Sequence, residues 1–380
     1  MNNVPFVDLY QQYLTLKLEI DTVIEEVIRA SAFIRGPFVD HFENEFAEIF
    51  DMPHCVSCAN GTDALYLAMR ALGVAPGDEV ITSAHSWIAT SETITQAGAS
   101  VVFCDTDGLS YTIDPVQIEA RITARTVGII PVHLYGQAAN MPAIMRIAEK
   151  HKLWVIEDCA QAHLAAIDDC KVGTFGAAAT YSFYPGKNLG AMGDAGAILT
   201  RDSDLARRMT MLARHGGLRK GDHQIEGLNS RLDGLQAAIL SVKLPHLARW
   251  NAARRRIAAS YSERLAKLAT VTPPVTLPNR EHVFHLYVIQ HSARDELARF
   301  LSERGIQTVI NYPTALPFLP AYHRLGHQPE DFPHAWGDQS RILSLPIFPE
   351  LSNEQLDSVV DAIRDFDATT HSKLETGTPS

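Results

Sequence analysis

Short apolar runs alternate with segments of helical period through the first two-thirds of the chain, and this alternation limits the fold more than any other feature. Val80-Ile81, Val101 to Phe103, Gly128 to Val132 and Leu153 to Ile156 read as buried strands, because each is an apolar run too short for a helix. Between them Pro142 to Lys150 reads as a helix, as does Asp114 to Ile122. Alternation of this kind predicts a mostly parallel sheet covered by helices. Ala178 to Phe183 and Ala195 to Leu199 stand closer together and read as neighbouring strands joined by a glycine-rich loop.

Leu235 to Leu247 is strongly apolar, and Arg249 to Arg256 turns basic and helical. A domain boundary is expected there, with residues 1–248 forming a large domain that includes an N-terminal arm. Residues 249–368 form a smaller α+β domain, in which Val283 to Gln290, Arg294 to Arg304 and Ile306 to Ile310 read as strand, helix and strand. Residues 369–380 are polar with Gly and Pro and are expected to fray.

The 380 residues are 46% hydrophobic and 20% charged, enough for a large core and two domains. The formal net charge of −11 argues against nucleic acid as a partner. No apolar run reaches the roughly 20 residues that a membrane span needs. The start, MNNVPFVDLYQQY, lacks a basic region followed by an apolar core, so no signal peptide is expected. Five scattered cysteines suit reduced thiols and a cytoplasmic protein. Cys55 and Cys58 form a C-x-x-C without a second one or a spaced histidine pair, so they read as small apolar residues on a strand and no metal site is expected.

One lysine stands out. In YSFYPGKNLGAMGDAG, residues 181–196, Lys187 follows an apolar run and a Pro-Gly break. A phosphate-binding P-loop would need Gly at 181 and Ser or Thr at 188, where this chain has Tyr and Asn. A desolvated lysine has a lowered pKa and can attack a carbonyl, which is the chemistry of a Schiff base. That role needs a carboxylate for a pyridine nitrogen, a cup for a phosphate and a flat group against the ring.

Each part has a candidate. The strand Leu153 to Ile156 runs into Glu157-Asp158, and open α/β sheets bind ligands at the carboxyl ends of their strands. Asp158 could face the pyridine nitrogen, with Gln161 donating to the ring oxygen; the competing role for Asp158 is a helix N-cap. Asn60-Gly61-Thr62-Asp63 precedes a helical face of Ala64, Leu65, Ala68, Ala71 and Leu72, so Gly61 and Thr62 could hold a phosphate at a helix start. Here too a plain N-cap, by Thr62 or Asp63, competes. Ser182 could reach the same phosphate, and Trp87 in HSWIATSE could stack on the ring, although Trp is more often packing. Together these parts point to pyridoxal phosphate. No G-x-G-x-x-G follows an early strand, which argues against a nicotinamide dehydrogenase.

The chain resembles the DegT/DnrJ/StrS family of nucleotide-sugar aminotransferases over nearly its whole length. The likeness runs through PFVDLYQQY, FIRGPFVDHFENEFA, NGTDAL, GDEVIT, VHLYGQ, IEDCAQAH, SFYPGKN, GDAGAI, LNSRLDGLQAAIL, HLYVI and SLPIFPEL. The resemblance implies the type I aspartate-aminotransferase fold and a homodimer with active sites at the interface. It implies pyridoxal phosphate held by Lys187, with Asp158 at the pyridine nitrogen and Gln161 at the ring oxygen. Gly61, Thr62 and Ser182 match the phosphate cup, Trp87 the stacking position, and Asn229 a residue reaching the phosphate from the second subunit.

The activity implied is transfer of an amino group from an amino-acid donor, L-glutamate, to a keto nucleotide-sugar. Members with His in place of the lysine remove a hydroxyl; Lys187 therefore favours transamination over a dehydratase, and the intact site argues against a regulatory homologue without turnover. Gly193-Asp194-Ala195-Gly196 resembles members acting on 3-ketosugars, which favours C3 of a dTDP-3-keto-6-deoxyhexose over C4 or a UDP-ketosugar. The chain departs from the family pattern at Leu164, at 167–170, at Pro317 where a His is common, and at Trp336 where a Glu is common. These changes bear on the sugar or nucleotide rather than the reaction.

Overall fold

A computed structural model describes residues 3–376. Its centre is a seven-stranded sheet with the spatial order His54–Cys58, Gly196–Thr200, Ala178–Ser182, Trp154–Asp158, Thr126–Ile130, Glu79–Ser83 and Ser100–Cys104. The five strands from Ala178–Ser182 to Ser100–Cys104 are parallel; Gly196–Thr200 runs antiparallel to both of its neighbours. The sheet is thus mostly parallel, as the alternating pattern predicts.

Consecutive residues of these strands enter different cores. Ile81, Ile129, Val155 and Ala179 pack with the helices Pro37–Ile49, Met141–His151 and Gly234–Lys243. Val80, Ile130, Ile156 and Ala178 pack with the helices Gly61–Ala71, Ala89–Gln96 and Ser203–Leu212. A strand buried on both faces must be apolar at every position, which is why the runs in the sequence are continuous. Cys55 and Cys58 belong to opposite cores, so they cannot serve one metal ion or redox pair.

The second part of the chain builds a smaller antiparallel sheet from Val271–Thr272, Tyr287–His291 and Ile342–Leu345. Its core includes residues from the helices Leu247–Leu265, Arg294–Glu303 and Asn353–Thr376. The expected strand at 283–290 begins only at Tyr287, because Val283 and Leu286 donate their N–H groups to Gly136 and Tyr135 instead. The expected strand at 306–310 is reduced to single bridges, Ile306 to Val4 and Val309 to Ser344.

The position 248/249 lies inside the helix Leu247–Leu265, and the cores do not divide the chain at one point. Val4 joins the core of the smaller sheet, while Leu316, Tyr322, Phe332 and Ala335 return to the central-sheet core that holds the helices Gly61–Ala71, Ala89–Gln96 and Ser203–Leu212. The last helix continues to Thr376, so 369–376 is helical rather than frayed, and 377–380 lies outside the described residues. No helix among the described residues is long and apolar enough to cross a membrane.

Candidate active site

At the carboxyl ends of the central strands lies a cavity of about 880 Å³. Gly61, Thr62, Trp87, Asp158, Gln161, Ser182 and Lys187 all line it. Asn229 does not; it is exposed and bridges Arg214. Residues spread over more than 120 positions of sequence therefore converge because their strands end on the same edge of one sheet.

Lys187 sits in a turn beyond the strand Ala178–Ser182, its N–H donating to the Tyr184 carbonyl at 2.8 Å. By area it is half-buried, but the open part is the cavity wall, so the amine lies among protein groups rather than bulk water. Burial lowers its pKa to about 8, against the opposing pull of the Asp158 charge. Among the described residues the amine has no ion pair or hydrogen bond. Tyr184, beside it, is exposed although its aromatic context suggests burial.

Asp158 is the last residue of its strand and is buried. Its Oδ2 accepts from the Thr90 hydroxyl at 2.8 Å and its Oδ1 from the Ala160 N–H at 3.1 Å. No helix starts after it, so the N-cap alternative falls away. Burial raises its pKa above the usual carboxylate value, and no cation pairs with it among the described residues. Gln161 is fixed at both ends: its Oε1 accepts the Tyr135 N–H at 2.7 Å, and its Nε2 donates to the Tyr312 hydroxyl at 3.0 Å. One amide hydrogen remains for the cavity.

The helix Gly61–Ala71 is capped by Asn60, not by Thr62 or Asp63; Asn60 Oδ1 accepts the Asp63 N–H at 2.8 Å. The Gly61 and Thr62 N–H groups have no protein partner among the described residues and stand at the positive end of the helix, where an anion is favoured. Gly61 is pressed on the neighbouring strand end, for a Cβ there would lie 2.7 Å from Ser182 Cβ. Gly196 is pressed in the same way, since its Cβ would lie 2.4 Å from the Asn60 carbonyl carbon. The glycine that closes GDAG thus has a packing reason of its own, while Asp194 of the same loop lines the cavity.

Several lining residues escaped sequence reasoning. Thr90 lies one turn past Trp87, and Tyr312 comes from the second part of the chain, its ring 5.5 Å from that of Trp87. Arg254 and His285 also reach the cavity. Only the YP of YPTALP and the H of HLYVI hint at two of these. The buried group His133, Glu157 and Cys159 has metal-like proximity, yet Glu157 and His133 are already engaged. Glu157 accepts from the N–H groups of Gly173, Phe175 and Gly176 and from His133 Nε2, while His133 Nδ1 accepts the Ala139 N–H. The pair ties the strand end that carries Asp158 to the 173–176 loop.

The cavity thus offers an uncompensated carboxylate, a partly neutral amine, free N–H groups at a helix start and a flat aromatic wall. A ligand with a cationic ring nitrogen, a carbonyl and an anionic tail fits these groups one for one.

Comparison with known proteins agrees with this chemistry. The model of the DegT/DnrJ/EryC1/StrS aminotransferase family matches residues 15–364. A "Pleiotropic regulatory protein" of Geobacillus stearothermophilus is 48% identical over 96% of this chain and 98% of its own length. A UDP-N-acetyl-3-dehydro-alpha-D-glucosamine 3-aminotransferase of Acidithiobacillus ferrooxidans is 44% identical, covering 95% and 97%. A dTDP-3-amino-3,4,6-trideoxy-alpha-D-glucose transaminase of Streptomyces venezuelae is 41% identical, covering 96% of each. Among solved structures, DesV of S. venezuelae superposes with a TM-score of 0.94 at 41% identity, over 97% of this chain and 99% of that one. A Bacillus subtilis protein, NtdA, solved with bound cofactor PMP, superposes with a TM-score of 0.89 at 30% identity, over 97% and 86%.

Proposed function

The chain belongs to the DegT/DnrJ/EryC1/StrS aminotransferase family and is a pyridoxal-phosphate-dependent sugar aminotransferase; from that premise we propose that it moves an amino group from L-glutamate to C3 of a dTDP-3-keto-6-deoxyhexose. The observation that carries the site assignment is the pair Lys187 and Asp158, an amine and a buried carboxylate facing one cavity with no other ion partner among the described residues. The C3 assignment is supported by the GDAG loop and by relatives whose names specify 3-amino sugars. A UDP-3-ketosugar is the second reading, favoured by the 44% identical relative named for such a substrate.

Pyridoxal phosphate, when bound, supplies an aldehyde for amines and an electron sink for the carbon bearing the amino group. Lys187 would hold it through Nζ. Asp158, desolvated and held by Thr90 and Ala160, would favour a proton on the pyridine nitrogen. Gln161 Nε2 would donate to the ring oxygen, with its orientation set by the Tyr135 N–H. Gly61, Thr62 and Ser182 would bind the phosphate, and Trp87 would lie against the ring. The Lys187 amine could both accept and return a proton at Nζ, and a pKa of about 8 suits both directions near neutrality.

The phosphate role expected of Asn229 would need a second copy of the chain, because Asn229 is exposed and outside its own cavity; this supports the reading of a homodimer as the working unit. The retained Lys187, Asp158 and Gln161 support turnover in this chain despite its 48% identity to a protein named as a regulator.

The test is to load the protein with pyridoxal phosphate and add L-glutamate, then a panel of 3- and 4-keto dTDP- and UDP-sugars, reading product mass and the aminated carbon. Glutamate should abolish the absorbance band of the loaded lysine, and a 3-amino product should form. No response to any amino donor, or amination only at C4, would overturn the assignment.

A further inference from the structure

Asn188, directly after Lys187, is buried and donates Nδ2 to Asn251 Oδ1 at 2.8 Å and to the Val283 carbonyl at 3.1 Å. Asn251 donates its own Nδ2 to the His163 carbonyl at 2.8 Å. Backbone carbonyls only accept, so both amides have a fixed orientation, each with nitrogen toward a carbonyl and oxygen turned away. Asn188 Oδ1 therefore meets His285 Nδ1, 3.2 Å away, as an acceptor, and Nδ1 carries the proton.

In a neutral imidazole the other nitrogen is then a lone-pair acceptor. His285 lines the cavity and keeps some exposure. Among the described residues its Nε2 has no protein partner, and it is not one of the sealed polar atoms, so it opens on the cavity. Burial and the charges of Lys187 and Arg254 hold the pKa of this ring well below the ordinary 6.5, which keeps it neutral.

A lone-pair acceptor on this wall distinguishes the two substrates of the proposed reaction. Apart from the amine that reacts, glutamate brings only carboxylates, which are themselves acceptors. A sugar brings hydroxyl or amide N–H donors. We propose that His285 is a specificity-determining residue of the sugar half-reaction, accepting through Nε2 a hydrogen bond from a hydroxyl or amide N–H of the nucleotide-sugar while Asn188 holds its other edge. The inference rests on the proposed function, since it needs a sugar in this cavity. A site built to accept a particular donor rejects analogues that lack it.

Two substitutions separate the edges of the ring. His285→Asn retains a donor toward Asn188 and removes the cavity acceptor. His285→Gln places an amide oxygen toward the Nε2 position and gives up the bond to Asn188. The loaded enzyme is mixed separately with L-glutamate and with a 3-amino nucleotide-sugar, dTDP-3-amino-3,6-dideoxyglucose or its UDP counterpart, whichever the wild type accepts. Each half-reaction is followed by cofactor absorbance.

His285→Asn should raise the half-saturating amino-sugar concentration about tenfold, as loss of one hydrogen bond implies, and leave the glutamate half-reaction within about twofold. His285→Gln should recover most of the sugar loss. Equal loss in both half-reactions would show a structural role through the Lys187 loop and overturn the inference, as would an unchanged sugar response in His285→Asn. If one variant fails to fold, the ratio of the two half-reactions in the other decides. A wild type inert in both half-reactions would overturn the proposed function itself, and the inference with it.

Discussion

Thr90 Oγ1 donates to Asp158 Oδ2 at 2.8 Å, joining the helix Ala89–Gln96 to the end of the strand Trp154–Asp158. The bond favours the ionised carboxylate and so opposes the upward pull of burial on its pKa. Thr90→Val should therefore push the Asp158 pKa higher still and weaken cofactor binding by about tenfold or more, the scale of a hydrogen bond to a charged group. Titration of the apoprotein with pyridoxal phosphate measures this. For an acid whose folded pKa is raised, the folded state holds the proton where the unfolded chain has lost it, so stability falls as pH rises through that window. Cofactor affinity should move the opposite way, dropping as pH falls below the raised pKa, because the cationic ring needs the ionised carboxylate.

Lys187 gives the second pH signature. Its pKa is lowered from 10.5 to about 8. Below about 8 the folded apoprotein carries the whole cost of a desolvated ammonium. Between about 8 and 10.5 the folded amine is neutral while the unfolded one is still charged, so stability rises with pH across that window. Capture of pyridoxal phosphate by the apoprotein should accelerate through pH 8 and level off above it. Lys187→Ala should abolish turnover and the alkaline gain in thermal midpoint, and borohydride should no longer fix the cofactor to the chain.

Gly61→Ala tests the phosphate end. The added Cβ would meet Ser182 Cβ at 2.7 Å, at a junction between helix and strand that has no slack. Overpacking of this kind costs about 1–3 kcal/mol, visible as a lower urea midpoint. Cofactor retention should fall further than stability predicts, because the shifted helix start moves its free N–H groups away from the phosphate.

Glu157 tests the support behind the site. It accepts three backbone N–H groups and His133 Nε2. Glu157→Ala leaves those donors buried and unpaired and should destabilise by about 3–5 kcal/mol in urea unfolding, whereas Glu157→Gln should cost less.

Asn229 tests the shared site. Asn229→Ala should loosen the cofactor, and so should Lys187→Ala. If the two residues serve one site from different subunits, refolding the variants together should restore one intact site in each mixed dimer. Activity after mixing, with neither variant active alone at limiting cofactor, checks this; no recovery would place Asn229 outside the active site.

Much of this protein is legible in its sequence for a definite reason. Strands buried on both faces leave continuous apolar runs, so Val80-Ile81 and Val155-Ile156 announce the sheet without any tertiary information. Lys187 after a Pro-Gly break, Glu157-Asp158 after a strand and Gly61 before a helix are local patterns as well. By contrast, the strand Ile342–Leu345 and the reduced pairing at 306–310 depend on partners far away, Val4 and Ser344 among them, and leave no periodic trace.

The sequence by itself determined the sheet, Lys187 beyond its strand, Asp158 at a strand end and the helix start, because each is encoded by neighbours within a few residues. Only the tertiary structure decided that Asn60 rather than Thr62 or Asp63 caps the helix, that Thr90 holds Asp158, and that Tyr312 and His285 cross from the second part of the chain to close the cavity. Those roles follow from hydrogen-bond directions and close approaches between distant segments, and such geometry exists only once the two cores have packed.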